Sequence, residues 1–374
     1  MIEQYLNTIT QGDCLDLTKK LPDASINCTI TSPPYWGLRD YSTGGKVWGG
    51  DESCEHEWNT VKKKWHSDRG NSKRKEVFDD SFQVEGTPSS FCVKCEAWRG
   101  ELGLEPTFEL YLEHLWEIFD EVKRVLRDDG TCWVNLGDTY GTHTSKRSGQ
   151  FGSDISSDIN SVFTKSRKSQ SVSEKSLCII PQRFAIGMLE RGWILRNTII
   201  WHKPNCMPSS AKDRFTVDFE YVYFFVKSKK YAFETQYEPV KESTIARYQY
   251  PNSSGNQKIE YGDSDKINRI NPRIERQGHK EKLIEQGRIK RTVWTINTKP
   301  FKEAHFAVFP EALVETPIKA GCPEGGVVLD PFSGAGTVAK VATELNRNFI
   351  GFELNPEYCE IARRRLKHIQ KEMI

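Results

Sequence analysis

The chain has no apolar run approaching the roughly 20 residues that a membrane-spanning helix requires. Its first residues, MIEQYLNTITQGD, lack the basic-then-apolar order of a secretory signal. A soluble protein of the cytoplasm is therefore expected. Net charge is nearly absent too. The 53 basic and 51 acidic residues leave +2, so the total points to no nucleic-acid partner and the distribution has to be read instead. Internal repeats are missing. The glycine turn near the C-terminus has G-x-G at Gly334 and Gly336, not G-x-G-x-x-G, and no Lys-Ser or Lys-Thr pair follows it. That disfavours a dinucleotide or ATP site. The ten cysteines are expected as thiols or metal ligands in a reducing compartment. At 374 residues the chain can hold one large α/β domain with insertions, or two domains.

What is present centres on residues Thr31 to Tyr41, TSPPYWGLRDY. They follow Ile26 to Ile30, whose β-branched content predicts a buried strand. Pro33 and Pro34 stop that strand, since neither can donate a ladder hydrogen bond. The rigid tip offers the Ser32 hydroxyl, carbonyls without neighbouring N–H groups, and the faces of Tyr35 and Trp36. Such parts suit gripping a flat ring by stacking while accepting hydrogen bonds from an amine on its edge. A proline-stiffened turn with core aromatics is the plainer alternative.

Upstream, Thr8 to Leu17 predicts a short strand breaking at Gly12, with Asp13 available as a helix cap. Between Gly44 and Leu102 the chain is charged and too poor in aliphatic residues to form its own core. It carries Cys54-x-His56 and Cys92-x-x-Cys95, two close ligand pairs across a long loop, with His66 as a possible substitute. This is how tetrahedral zinc ties small elements together; surface thiols in a loop are the alternative. From Glu105 the apolar spacing predicts a helix ending at Asp129-Gly130, then a buried strand over Thr131 to Leu136. Residues 141–176 hold eleven serines and little periodicity, which predicts a loop. A helix over Pro181 to Arg191 and strands over Trp193 to His202 and Glu220 to Lys227 follow, joined by the loop KPNCMPSSAKDRF.

Between Lys266 and Lys302, eleven Lys or Arg face three acidic residues, with Tyr248, Tyr250, Tyr261 and Trp294 in or near the run. This suits phosphate contact, although a charge run can equally be a solvated face. The C-terminal part predicts a helix (Phe309 to Ala320), a strand (Val327 to Asp330), the turn Pro331 to Thr337, a helix (Val338 to Leu345), a strand ending at Glu353 and a last helix (Pro356 to Ile369). Glycines let a ligand approach the backbone closely, and the Glu353 carboxylate can accept both hydroxyls of a ribose.

Ser32-Pro33-Pro34-Tyr35 resembles the [DNS]-P-P-[YFW] motif of the DNA amino-methyltransferases, in its serine form similar to the cytosine-N(4) branch. The turn DPFSGAGT resembles the D-x-F-x-G-x-G cofactor motif of the same family, roughly 300 residues downstream. Catalytic motif first and cofactor motif last looks like the permuted group often called β. The resemblance implies an α/β, Rossmann-like S-adenosylmethionine-dependent fold with a mixed, mostly parallel sheet. Inserted zinc-like and target-recognition segments would interrupt it. It implies Ser32, Pro33, Pro34 and Tyr35 as catalytic, and Asp330, Phe332, Gly334, Gly336 and Glu353 as cofactor contacts. Asp13 and Cys14 would lie beside the adenine. It further implies that the strands before the two motifs are neighbours. Residues 1–45, 103–235 and 301–374 would form the catalytic domain, 46–102 a zinc-binding insertion held by Cys54, His56, Cys92 and Cys95, and 236–300 the target-recognition region. The implied partners are double-stranded DNA and a cognate restriction endonuclease. Cytosine is the expected target, tipped by Ser32 and Trp36, with adenine as the alternative. The Pro-Cys pair of ring-carbon methyltransferases is missing, which argues against ring methylation. A catalytically weak DNA-binding module, or a protein-glutamine methyltransferase with its related N-P-P-Y motif, would be the competing classes.

Overall fold

The computed structural model describes residues 2–37, 45–58, 90–141, 172–243, 245, 285–299 and 309–372. His66, Tyr248, Tyr250, Tyr261, most of the serine-rich segment and much of the basic region lie outside them. In chain order the first elements are β1 (Thr8–Gln11), α1 (Cys14–Thr18) and β2 (Ile26–Thr31). A small antiparallel sheet follows, made of β3 (Lys46–Trp48), β4 (Ser90–Phe91) and β5 (Trp98–Gly100). Then come α2 (Phe108–Val125), β6 (Leu126–Leu136), α3 (Ile180–Glu190), β7 (Ile194–His202) and β8 (Phe219–Val226). A two-stranded ribbon of β9 (Tyr237–Glu238) and β10 (Arg288–Ile289) precedes β11 (Val293–Thr295). The chain closes with α4 (Glu311–Gly321), β12 (Val327–Asp330), α5 (Thr337–Glu344), β13 (Asn348–Glu353) and α6 (Pro356–Glu372).

One eight-stranded sheet organises the whole, in the order β1-β13-β12-β2-β6-β8-β7-β11. Every pairing is parallel except the two that β8 makes, with β6 and with β7. As expected, the two motif-bearing strands lie side by side, with Val328 opposite Cys28 and Leu329 opposite Thr29. From β12 the chain crosses to β13 on one side, and from β2 to β6 on the other. The carboxyl ends of β12 and β2 therefore open on a crevice where ligands collect in such sheets.

Strand alternation feeds two cores. Cys132, Val134 and Leu136 of β6 join α1, α2 and α3 on one face. Trp133 points to the other, among side chains of α4, α5 and α6, and stacks on Phe224 with ring centroids 3.9 Å apart. Full burial of such side chains is worth roughly 1.5–3 kcal/mol each.

Helix α2 begins where Thr107 accepts from the Leu110 N–H, a side-chain cap. It stops before the expected Asp129-Gly130, because Leu126 turns extended and pairs with Ile26 of β2. Gly130 covers that leucine so closely that a Cβ would lie 2.7 Å from Leu126 Cγ. Strand pairing here overrides a helical spacing. One aromatic expectation also changes. Trp294 is buried in the second core, its indole donating to the Arg291 carbonyl, so it cannot meet phosphate. Residues 293–295 belong to the main sheet, paired with β7.

Candidate active site

A cavity of about 860 Å³ opens at the carboxyl ends of β2 and β12. The two strand ends are tied together there. The Thr31 hydroxyl donates to Asp330 Oδ1 at 2.7 Å, and the same oxygen accepts from the Phe332 N–H. Burial raises the Asp330 carboxyl to about 7, with the Glu353 charge adding to the rise against those two hydrogen bonds.

Glu353, at the end of β13, accepts from the Gly334 N–H at 2.7 Å on one oxygen and from the Asn355 N–H at 2.8 Å on the other. A carboxylate has about four acceptor positions, so each oxygen keeps one for a diol. Burial raises this carboxyl as well. Gly334 has φ +49°, and a Cβ there would meet nothing within 4 Å, since it faces the open cavity. Asp13, Cys14, Phe332, Gly334 and Glu353 all line that space. Asp13 also serves as the N-cap of α1, accepting from Leu15 and Asp16, and pairs with the Lys46 ammonium at 2.6 Å. The helix-cap reading of that residue holds, and its place on the cavity wall leaves it beside any molecule bound there. Gly336 does something different. It does not line the cavity; at φ +75° it lets α6 pack against the turn, where a Cβ would lie 2.8 Å from Ala362 Cβ.

The Ser-Pro-Pro-Tyr tip faces the same cavity. It is bolted from behind: the Tyr111 hydroxyl donates to the Pro34 carbonyl at 2.7 Å, and the Trp36 indole donates to the Glu105 carbonyl at 2.8 Å. Trp36 packs edge-on against Phe108 and does not line the cavity, so it is scaffold and says nothing of the base. No hydrogen bond engages the Pro33 carbonyl among the described residues.

Three residues that the sequence reading missed complete the tip. The Ser32 hydroxyl approaches the Tyr35 oxygen at 3.3 Å, and the Tyr35 hydroxyl reaches Glu220 Oε2 at 2.8 Å and Asn135 Oδ1 at 3.0 Å. The Lys203 ammonium pairs with the other Glu220 oxygen. Burial and the Glu220 charge push the Tyr35 hydroxyl well up, so it remains a proton donor. Asn135 is fixed in turn by donating to the Tyr221 carbonyl. Glu220 is the second residue of β8 and Lys203 follows β7; only the fold brings them together. Asp138, which closes β6, accepts from the N–H groups of Ile179 and Ile180 and caps α3.

The second cluster is Cys54, His56, Cys92 and Cys95, whose ligand atoms all lie within 4.8 Å of one another. Cys54 Sγ is 3.9 Å from Cys92 Sγ, and Cys95 Sγ is 3.4 Å from His56 Nδ1. The Lys94 N–H points at Cys92 Sγ. All ten cysteines are free thiols.

The chain is 34% identical over 360 residues to the type II methyltransferase M.Cfr9I of Citrobacter freundii, spanning 96% of this chain and 87% of that protein. With M.SmaI of Serratia marcescens it shares 31% identity over 358 residues, 96% and 90% of the two chains. The solved PvuII DNA methyltransferase (cytosine-N4-specific) has the same fold, at TM-score 0.52 and 17% identity over 97% of this chain and 92% of that one. A family model for N6/N4 methyltransferases, described as DNA methylase, matches residues 26–364. A glycine turn open to the cavity and a strand-end carboxylate with acceptor positions to spare fit S-adenosylmethionine, the Ser-Pro-Pro-Tyr tip faces the same space, and the chain belongs to the N6/N4 DNA methylase family.

Proposed function

We propose that this protein methylates the exocyclic amine of cytosine within a specific site of double-stranded DNA. The observation that carries amine methylation is the meeting of the Ser32 tip and the Glu353–Gly334 turn in one cavity. S-adenosylmethionine, when bound, supplies an electrophilic methyl group. An exocyclic amine is a poor nucleophile because its lone pair is delocalised into the ring. Hydrogen bonds from its two protons to Ser32 Oγ and the Pro33 carbonyl favour a more tetrahedral nitrogen. Tyr35 presents its ring to the base. The chain Ser32, Tyr35, Glu220 gives the departing proton a route: Ser32 Oγ takes it, passes its own to Tyr35, and Tyr35 passes its own to Glu220. Holding the reactants in line supplies most of the rate.

The target base must leave the duplex to reach this cavity. Phe215 and Met207, in the loop between β7 and β8, stand at its rim 96% and 89% exposed. Such exposed apolar side chains suit stacking against the opened duplex. In this reading residues 46–102 are an insertion in the catalytic domain. Residues 236–300, without β11, hold target recognition. The type II relatives support a cognate restriction endonuclease as partner, and work in the cytoplasm.

Cytosine rests on the neutral hydroxyl at position 32 and on the likeness to the cytosine-N(4) branch. Adenine is the second reading, favoured by one detail: the Ser32 proton is directed at Tyr35, so donation to a cytosine ring nitrogen is not preset. Digesting DNA from cells expressing the protein and separating the nucleosides by mass spectrometry decides. N(4)-methylcytosine is expected. N(6)-methyladenine alone would overturn the base assignment, and methylated protein with unmethylated DNA would overturn the whole reading.

A further inference from the structure

We infer that Cys54, His56, Cys92 and Cys95 bind one zinc ion, and that this ion braces the wall of the cofactor cavity beside Asp13. The donor geometry comes first. Zinc–sulfur bonds of about 2.3 Å and zinc–nitrogen bonds of about 2.0–2.1 Å in a tetrahedron put sulfurs about 3.8 Å apart and sulfur about 3.6 Å from nitrogen. The structure has 3.9 Å for Cys54–Cys92 and 3.4 Å for Cys95–His56. These are the separations of ligands around an ion, far beyond the roughly 2.0–2.1 Å of a disulfide.

The backbone is shaped for the same purpose. The Glu96 N–H returns to the Cys92 carbonyl and the Cys92 N–H to Ala97, folding the Cys-x-x-Cys into a tight turn. The Lys94 N–H at 3.4 Å from Cys92 Sγ supports a thiolate. On the opposite arm Gly50 leaves room for Cys95, since a Cβ there would lie 2.9 Å from its sulfur.

Among the described residues, little else at the ligand end holds it. The strands are two and three residues long, well below what stands alone in water. Their large side chains leave for the main core: Trp48 and Trp98 flank His114 of α2, with ring centroids 4.4 and 5.3 Å away, and His114 Nδ1 is 2.9 Å from Glu105. Among the described residues, the ligand end keeps Cys92 and Ala97 as its fully buried ones. A metal there supplies free energy that this composition lacks.

The same strands form the cavity wall. Gly45, Lys46, Trp48 and Gly100 line it. Lys46 opens β3 and holds both Asp13 and Asp16 at 2.6 Å, fixing the turn into α1. Tightening the four ligands sets β3 against β5, and β3 carries Lys46 to Asp13.

The test uses the full chain, purified without chelators and under reducing conditions. Elemental analysis should give about one zinc per chain, the count for a single four-ligand site, and Cys92→Ser and Cys95→Ser should lose it. Stripping zinc from the unmodified protein with a chelator should weaken S-adenosylmethionine binding, read by calorimetry, by about fivefold or more. Added zinc should restore the affinity and magnesium should not. Metal-free protein with full affinity, or a Cys54–Cys92 disulfide in peptide mapping, would overturn the inference. Zinc present but without effect on cofactor affinity would uphold the metal site and overturn the brace. Neither readout depends on which base is methylated.

Discussion

Asp330 shows how much a single residue's setting can add to a motif. In the sequence it is one letter of DPFSG; in the fold it locks β12 to β2 through Thr31 and is almost fully buried. Its carboxyl rises from 3.8 to about 7, so the folded state holds a proton that the unfolded chain releases. Between those two values stability falls as pH rises, and below the lower one the group makes no difference. Glu353, also raised by burial, acts in the same direction. Asp330→Asn should therefore flatten the loss of stability between about pH 4 and pH 7, measured by urea unfolding of the cofactor-free protein. A rise of that size is worth about 4 kcal/mol at most. An unchanged slope would mean Asp330 is already ionised in the fold. The Ser32 relay is testable at the same scale. Tyr35→Phe and Glu220→Gln should each lower kcat about 100-fold or more, as for groups that handle a proton in the transition state, with S-adenosylmethionine affinity unchanged. Equal losses in kcat and cofactor affinity would make them packing residues instead.

At the scale of elements, the two glycines of the turn look alike in sequence and separate in the structure. Gly334 needs only its positive φ, while Gly336 needs both the φ and the missing Cβ, because Ala362 of α6 lies against it. Gly334→Ala should cost about 1–2 kcal/mol of stability, the left-handed penalty for a side chain. Gly336→Ala should add about 1–3 kcal/mol of overpacking to that. Equal unfolding midpoints for the two variants would refute the distinction. The motif elements themselves were legible: the strand over Val327–Asp330 falls where expected, and helix α5 is displaced by a single residue. Misreadings occurred where a tertiary partner decided the matter. Leu126 left its helix to pair with Ile26, and Trp294 and Trp36, both plausible contact aromatics, turned out to be held by backbone carbonyls. Spacing records which face is apolar but not what a tryptophan's N–H will find.

Across the whole molecule, motif order was the most informative signal, because two motifs roughly 300 residues apart can share a crevice only if their strands are neighbours, and they are. Tyr35's partners were illegible for the opposite reason. Glu220 and Lys203 belong to no local pattern and meet only through the antiparallel β8. The basic region tests how far charge counting reaches. Arg288 and Arg291 both bond Glu238 Oε1, at 2.7 and 2.6 Å, while Lys290 lies over the Trp294 ring with its nitrogen 5.5 Å from the centroid. Two guanidiniums sharing one carboxylate leave a net single charge, so with Lys290 this cluster offers two positive charges to DNA, not three. Each phosphate contact contributes about 0.9 to the dependence of log affinity on log salt. Replacing Arg288, Lys290, Arg291 and their partner Glu238 together by glutamine should therefore flatten the slope by about 2, with cofactor affinity unaltered. The reduction should fall short of that for three independent contacts. An unaltered slope would make this face merely solvated and move the DNA surface to another part of the molecule.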